Sequence, residues 1–297
     1  MTSIPDPWPH TPVKVGLVGA GPWARTVHAD LLAAGPETEL TAVWARRAEA
    51  ARETAAPHGA DVAESFEELL DGCEAVAFAV PPSVQAELAL RAAKAGKALL
   101  LEKPLGPDLA AARRLADAID EAGVVSQVVL TSRYHPAVRR FVGEAQRLEI
   151  VGARSCGLSS AFLGGAFATP WRLEHGALLD IGPHLLDLLD AAVGPIVGIR
   201  GTGDPRRWIE LTCEHETGAV SQASLSGSVD VSQGITRIEL YGPHARLVHD
   251  SADLDYAECW PVLRYEFAEA VRTGVSGELN ARRGLHLQSL IAQALET

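Results

Sequence analysis

Two glycines and an alanine follow the first apolar run of the chain at the spacing of a phosphate-binding turn. The segment GAGPWA (19–24) fits the pattern GxGxxG/A directly after the run VKVGLV. Gly19 permits a tight turn, Gly21 lets a pyrophosphate approach the backbone, and Ala24 lets a helix pack close to its strand. A turn that only needs glycine would look the same, so the surrounding elements must decide between the two.

The end of the next apolar run indicates which dinucleotide such a turn would take. A carboxylate there binds the ribose hydroxyls of NAD, whereas guanidinium groups favour the extra phosphate of NADP. Ala45 occupies this position and is followed by Arg46 and Arg47. These residues predict a preference for NADP(H). Asp61 and nearby glutamates keep NAD(H) possible, and two arginines can also form a solvated helix face.

Two further groups of polar residues could move charge and protons. Glu102-Lys103-Pro104 ends an apolar strand, so the Lys103 ammonium could hydrogen-bond a substrate oxygen and stabilise charge as hydride moves. The alternative is a charged pair that caps the strand. Asp180 and His184 lie four residues apart, and an aspartate can orient a histidine that passes a proton. The same spacing fits a helix cap beside a structural histidine.

The elements that must position these residues alternate regularly in the first half of the chain. Apolar segments at 13–20, 39–45, 74–80, 98–103 and 124–130 read as strands, and segments at 23–35, 46–59, 65–72, 83–97 and 108–123 read as helices. Strands that are apolar throughout predict a parallel sheet covered on both faces, in a doubly wound, Rossmann dinucleotide-binding domain.

The pattern changes after about residue 148. Segments with partial alternation at 151–162, 206–216, 218–229 and 235–250 predict an open, mainly antiparallel sheet. Helices are predicted at 176–194, with Pro183 in the first turn, and at 260–274 and 281–296. The predicted organisation is a tail at 1–12, a Rossmann domain at 13–130 and an α+β domain at 131–297, which would carry the substrate and oligomer contacts.

Composition excludes several classes of protein. The 297 residues carry a formal net charge of −12, which argues against a nucleic-acid partner. The four cysteines lack CxxC spacing, so neither a disulfide framework nor a metal site is expected. The sequence has neither an apolar stretch long enough to span a membrane nor the pattern of a signal peptide, so we expect a cytoplasmic protein without membrane contact.

Four segments, in this order, resemble the Gfo/Idh/MocA family of glucose-fructose oxidoreductase and inositol dehydrogenase: GLVGAGPWA, VPPSVQAELALRAAKAGKALLLEKPL, PWRLE and LLDIGPHLLDLL. The resemblance covers nearly the whole chain. It implies a Rossmann domain followed by a domain with an open sheet, used for oligomer contacts and for covering the active site. It also implies oxidation or reduction of a sugar, polyol or related carbonyl with NAD(P). The chain is short for the family, which suggests a trimmed second domain.

The resemblance also implies roles for individual residues. Lys103 matches the lysine of the family's EKP motif, and His184 and Asp180 match its acid/base histidine and the neighbouring aspartate. Three positions depart from the family. Gln85 stands where the family usually has histidine, and Ala98 stands where it often has another. The run of glycines that precedes the family's DxGxH motif is shortened to Gly176-Ala177.

The expected reaction is hydride transfer between nicotinamide and a carbinol or carbonyl carbon of a small polar compound. His184 would be the general acid/base, Lys103 would polarise the oxygen, and Asp180 would orient them. The expected cofactor contacts are Gly19, Gly21, Pro22, Trp23, Ala24, Ala45, Arg46, Arg47, Val80, Pro81, Glu102, Lys103, Trp171 and Arg172. The expected substrate contacts are Arg133, Tyr134, Trp171 and Arg172.

Two other functions stay open at this point. The chain could be a catalytically inactive NADP(H)-binding sensor or accessory subunit, or an NAD-dependent glycoside hydrolase. For the enzyme we expect a homodimer or homotetramer formed through the C-terminal sheet.

Overall fold

The computed structural model of the chain describes residues 8–252 and 254–296. The contacts between residues divide them into two units, the first formed by residues 8–129 and 260–285 and the second by residues 130–252, 254–259 and 286–296. Most of the predicted tail, residues 1–7, lies outside the described residues. Residues 9–12 are exposed, whereas the Trp8 ring is buried and lies edge-on to Tyr265.

The first unit is built on a six-stranded parallel sheet in the order β3-β2-β1-β4-β5-β6. Its strands are β1 (Val13–Val18), β2 (Thr38–Trp44), β3 (Asp61–Val62), β4 (Ala75–Phe78), β5 (Ala98–Leu101) and β6 (Ser126–Val128). The strands β4, β5 and β6 are buried along their whole length, as expected of a sheet covered on both faces. The predicted Rossmann architecture is confirmed.

Helices connect these strands. They are α1 (Ala29–Ala33), preceded by a π-helical stretch (Ala24–His28), and α2 (Ala48–Ala55), α3 (Phe66–Asp71), α4 (Pro82–Lys94) and α5 (Leu109–Ala122). Helix α3 begins as its sequence predicts, because Ser65 Oγ accepts a hydrogen bond from the Glu68 backbone N–H at 3.1 Å. The Asp108 side chain caps α5 in the same way.

The second unit contains a six-stranded sheet in the order β12-β11-β7-β10-β9-β8. Its strands are β7 (Gly152–Leu158), β8 (Ile196–Asp204), β9 (Trp208–His215), β10 (Val220–Ser226), β11 (Ile235–Tyr241) and β12 (Arg246–Asp250). Its helices are α6 (Pro136–Ala145), α7 (Pro170–His175), α8 (Ala177–Asp180) and α9 (Gly182–Val193). The sheet is mainly antiparallel, as predicted, but β7 and β10 pair in parallel.

Three elements of the second unit differ from the prediction. The segment 235–250 is a hairpin of two strands instead of one. The helix predicted at 176–194 is divided into α8 and α9 near Ile181, and Pro183 lies in the first turn of α9 as expected. Strand β8 was not predicted, because Gly198, Gly201 and Gly203 interrupt the alternation of its side chains.

The last two helices are α10 (Cys259–Thr273) and α11 (Ala281–Leu295). The sequence-based division assigns both to the second domain, whereas residues 260–285 belong to the first unit. Long-range hydrogen bonds explain the difference. Gln127 Nε2 at β6 donates to the Leu263 carbonyl at 2.9 Å, and Arg264 Nε donates to the Glu37 carboxylate at 2.7 Å beside β2.

No helix within the described residues has the length and apolar character needed to cross a membrane.

All four cysteines are free thiols. Within residues 8–252 and 254–296 there is also no group of three or more His, Cys, Asp or Glu side chains that could hold a metal ion.

Candidate active site

A groove of about 440 Å³ lies at the carboxyl ends of β1, β2 and β4 in the first unit. Ligands of open parallel sheets bind at this edge, where the strand order reverses. The groove is lined by Val18, Gly19, Ala20, Gly21, Trp44, Ala45, Arg46, Arg47, Ala50, Ala79, Val80, Pro81 and Val84. Seven of the predicted cofactor contacts are therefore lining residues: Gly19, Gly21, Ala45, Arg46, Arg47, Val80 and Pro81.

The two glycines of the turn serve different purposes. Gly19 has φ +123°, and a Cβ atom there would lie 2.4 Å from the Ala79 carbonyl oxygen, so the fold itself requires glycine. A Cβ atom on Gly21 would meet no atom within 4 Å. The chain does not need glycine at this position for its own packing. The open space beside Gly21 fits the close approach of a pyrophosphate to the backbone.

The groove is bordered by guanidinium groups. Arg46 and Arg47 are exposed and follow β2, and no carboxylate lies among the lining residues that the structure describes. Within that part of the chain, neither arginine forms an ion pair. These residues fit the additional phosphate of NADP(H), and the preference itself stays a prediction.

Lys103 follows β5 at the same sheet edge as the glycine turn. Its side chain is half-buried, and the Lys103–Pro104 peptide bond is cis. The neighbouring Glu102 is not among the groove-lining residues; its buried carboxylate accepts hydrogen bonds from Trp23 Nε1 at 2.6 Å and His28 Nε2 at 2.8 Å. A direct contact of Glu102 with a cofactor therefore stays a prediction.

The charge of Glu102 follows from these contacts. Burial alone raises the pKa of Glu102, but the hydrogen bond and charge of His28, with smaller effects of Lys103 and Trp23, hold its pKa below the ordinary value. Glu102 is therefore an ionised carboxylate at neutral pH, next in sequence to the Lys103 ammonium.

Gln85 has a role that sequence reasoning missed. Its side chain is fully buried on α4, and its amide oxygen accepts the Glu102 backbone N–H at 2.8 Å. Its amide nitrogen lies within hydrogen-bond distance of the carbonyls of Glu102 (2.7 Å), Pro104 (3.2 Å) and Leu105 (3.3 Å). The one available signal was an amide side chain among the apolar residues of a buried helix face.

The other predicted site residues belong to the second unit. Asp180 ends α8 and His184 lies half-buried in the first turn of α9. Arg172 on α7 forms an ion pair with Asp180, with 3.2 Å between Nε and Oδ2. The Arg172 guanidinium also lies 4.9 Å from the Trp171 ring centroid and 5.6 Å from that of Phe167. Aromatic stacking and the carboxylate thus fix Arg172 from several sides.

Two predicted substrate contacts lie in the interior of this unit. Arg133 is 8% exposed and pairs with the fully buried Asp187 at 3.0 Å, and the Tyr134 ring is fully buried. Removal of either partner would leave an uncompensated buried charge and would destabilise this unit. Contact of Arg133 or Tyr134 with a substrate stays a prediction.

Comparison with known proteins agrees with this architecture. Residues 13–130 match the family model GFO_IDH_MocA, described as an oxidoreductase family with an NAD-binding Rossmann fold. The dTDP-3,4-didehydro-2,6-dideoxy-alpha-D-glucose 3-reductase of Streptomyces violaceoruber is 33% identical over 201 residues, which cover 64% of this chain and 57% of the relative. The scyllo-inositol 2-dehydrogenase (NADP(+)) of Bacillus subtilis is 27% identical over 187 residues, which cover 59% and 56% of the two chains. This chain thus spans little more than half the length of these curated relatives.

A solved structure of levoglucosan dehydrogenase in complex with NADH and L-sorbose shares the fold, with a TM-score of 0.84 and 19% identity. The match covers 96% of this chain and 96% of that chain, so the second domain is not trimmed relative to this structure. Taken with the family match over the Rossmann domain and the glycine turn, these findings confirm the resemblance. Residues 13–130 match the Gfo/Idh/MocA family of oxidoreductases, so the first unit contains that family's NAD(P)-binding Rossmann domain.

Proposed function

We propose that this chain transfers hydride between NADP(H) and a carbinol or carbonyl carbon of a small polar compound, such as a sugar or polyol. The observation that supports the proposal most directly is that Lys103 and the groove with an open Gly21 share the carboxyl edge of one parallel sheet. When bound, the nicotinamide would supply or accept the hydride. The protein's task is then to bind, to orient and to move a proton.

Lys103 is the residue proposed to polarise the substrate oxygen. Its ammonium donates a hydrogen bond to the oxygen and stabilises the negative charge that develops there during reduction. His184 donates the proton in reduction and removes it in oxidation, because an imidazole can exchange a proton near neutral pH. Asp180 orients these groups, and its ion pair with Arg172 fixes the position of its carboxylate.

A turnover assay tests this proposal. The relatives act, by their names, on a dTDP-deoxysugar and on scyllo-inositol, so the panel should contain oxo-sugars, nucleotide-linked oxo-sugars and inositols. We expect at least one carbonyl compound to consume NADPH with an equimolar yield of alcohol. Binding of NADPH without turnover of any member would favour a sensor or accessory subunit. Cleavage of a glycoside without net change of the dinucleotide would favour a hydrolase.

A homodimer or homotetramer formed through the second sheet is proposed as the assembled state. Three large side chains on β8, β9 and β10 support this: Val197 is 61% exposed, Trp208 41% and Val220 45%. Light scattering should give a mass of two or four chains, and Val220→Lys should lower it. A monomeric wild type would refute this part of the proposal.

A further inference from the structure

The Glu102 carboxylate connects the segment after the glycine turn to the lysine turn. Trp23 lies within the glycine turn, and His28 ends the π-helical stretch that follows it. Both side chains donate to Glu102 Oε1, at 2.6 and 2.8 Å, across 79 and 74 residues of sequence. Glu102 Oε2 accepts the backbone N–H of Lys103 at 3.3 Å. One carboxylate therefore binds the dinucleotide turn, the first helix and the main chain of the proposed catalytic lysine.

These contacts determine that the Nε2 nitrogen of the His28 ring carries a proton. An ionised carboxylate only accepts hydrogen bonds, so His28 Nε2 must be the donor. The ring is fully buried, and its Nδ1 has no hydrogen-bond partner within the residues that the structure describes. Because Nδ1 contributes no hydrogen bond among the described residues, the contact between Nε2 and Glu102 is the polar interaction that explains a histidine at this position.

The turn that carries Lys103 is fixed from its other side by Gln85. The Gln85 amide oxygen accepts the Glu102 backbone N–H, and its amide nitrogen donates to the Glu102 carbonyl. The same nitrogen lies within hydrogen-bond distance of the carbonyls of Pro104 and Leu105. Gln85 therefore holds the main chain on both sides of Lys103, while Glu102 attaches the turn to the first helix. Without the hydrogen bonds from Trp23 and His28, Glu102 would no longer attach the Lys103 turn to the first helix.

We propose that His28 is a positioning residue: by donating to Glu102, together with Trp23, it holds the Lys103 turn in register with the dinucleotide-binding turn. The inference rests on the proposed function for the role of Lys103. The alternative is a purely structural contact between a helix and a strand end. Only the first predicts that loss of the His28 donor affects Lys103 and turnover without affecting dinucleotide affinity.

The test compares His28→Leu, which removes the donor, with His28→Gln, whose side-chain amide can still donate to Glu102. His28→Leu should lower kcat about 10- to 100-fold, the effect of misplacing a reacting group by about 1 Å, and leave the Kd for NADPH within about 2-fold of wild type. His28→Gln should restore kcat to within about 5-fold of wild type. The matched control is His58→Leu, because His58 Nε2 also faces a carboxylate of the first helix, Asp30, at 3.5 Å. It should leave kcat unchanged.

A second measurement does not depend on turnover. The rate at which an acetylating reagent modifies Lys103, followed by mass spectrometry, should rise several-fold in His28→Leu because the turn is released. Lys97, at the other end of β5, serves as the internal reference. Unchanged acetylation of Lys103 together with unchanged kcat in a folded His28→Leu would overturn the proposal. If the wild type is inactive but Lys103 responds as expected, the proposed function fails and the positioning role stands.

Discussion

The two sheets place their polar side chains in different ways. In the first sheet, β4 and β5 are buried along their whole length, so chemistry is confined to the turns that follow the strands. In the second sheet, side chains of β9 alternate between exposed and buried, and the exposed positions carry Trp208, Glu210 and Glu214. The predicted site residues of the second unit lie outside its strands, on a 3₁₀-helical turn (Thr131–Tyr134) and on α7, α8 and α9. A parallel sheet whose central strands are buried thus concentrates function at one edge, whereas a one-sided sheet leaves a whole face available for contacts.

Buried titratable groups repeat this contrast. In the first unit, Glu102 is buried at the sheet edge, and hydrogen bonds from neighbouring side chains lower its pKa despite the burial. In the second unit, burial itself lowers the pKa of His215 and His249. The first arrangement holds a charge at a site, and the second keeps histidines neutral in the interior.

The largest effect is expected at the edge of the first sheet. Lys103→Met should lower kcat by about 10²- to 10⁴-fold, because it removes the proposed hydrogen bond and charge at the substrate oxygen. The Kd for NADPH, followed by fluorescence, should stay nearly unchanged. Lys97→Met is the control, since Lys97 Nζ donates to the Cys73 carbonyl at the opposite end of β5. Full turnover by Lys103→Met would remove the lysine from the mechanism.

Substitutions of the two glycines of the turn should affect different properties: NADPH affinity at Gly21 and thermal stability at Gly19. Gly21→Val fills the open space beside the turn, so NADPH binding should weaken at least about 10-fold while the melting temperature changes little. Gly19→Ala places a Cβ atom against the Ala79 carbonyl at a positive φ, so it should lower the melting temperature instead. Calorimetry and a binding titration on both variants separate the two effects. Unaltered NADPH affinity in Gly21→Val would contradict the assignment of the groove.

The smallest effect is expected from the interior of the second unit. Burial lowers the pKa of His249, and the neighbouring His135 lowers it further against the opposing charge of Asp250. The unfolded chain therefore binds the proton more readily, so the unfolding free energy should fall as the pH drops below the unfolded value of about 6.5. His249→Phe should flatten this fall by an amount on the order of 1 kcal/mol. The exposed His244 provides the control as His244→Gln, and an unchanged slope in His249→Phe would contradict the interpretation.

The sequence predicts the first unit well because its signals are local. Apolar runs, glycine spacing and the Ser65 cap each act within a few residues. The strand ends and the glycine turn that these signals predict bring Gly19, Gly21 and Arg46 to one groove. The two side chains that donate to the Glu102 carboxylate, Trp23 and His28, could not be predicted, since 79 and 74 residues separate them from it along the chain. The same holds for residues 260–285, whose hydrogen bonds to the first unit depend on the folded chain.

The central claim is that the groove of the first unit binds NADP(H), and a comparative titration tests it most directly. Wild-type protein is titrated with NADPH and with NADH while tryptophan emission is followed, because Trp44 lines the groove. Arg46→Ala/Arg47→Ala is compared with Arg113→Ala/Arg114→Ala, a tandem pair of exposed arginines on α5 that lies outside the lining. We predict that NADPH binds at least about 10-fold more tightly than NADH, that the first double variant abolishes this difference, and that the second retains it. Equal or tighter binding of NADH to the wild type, or no binding of either dinucleotide, would contradict the account.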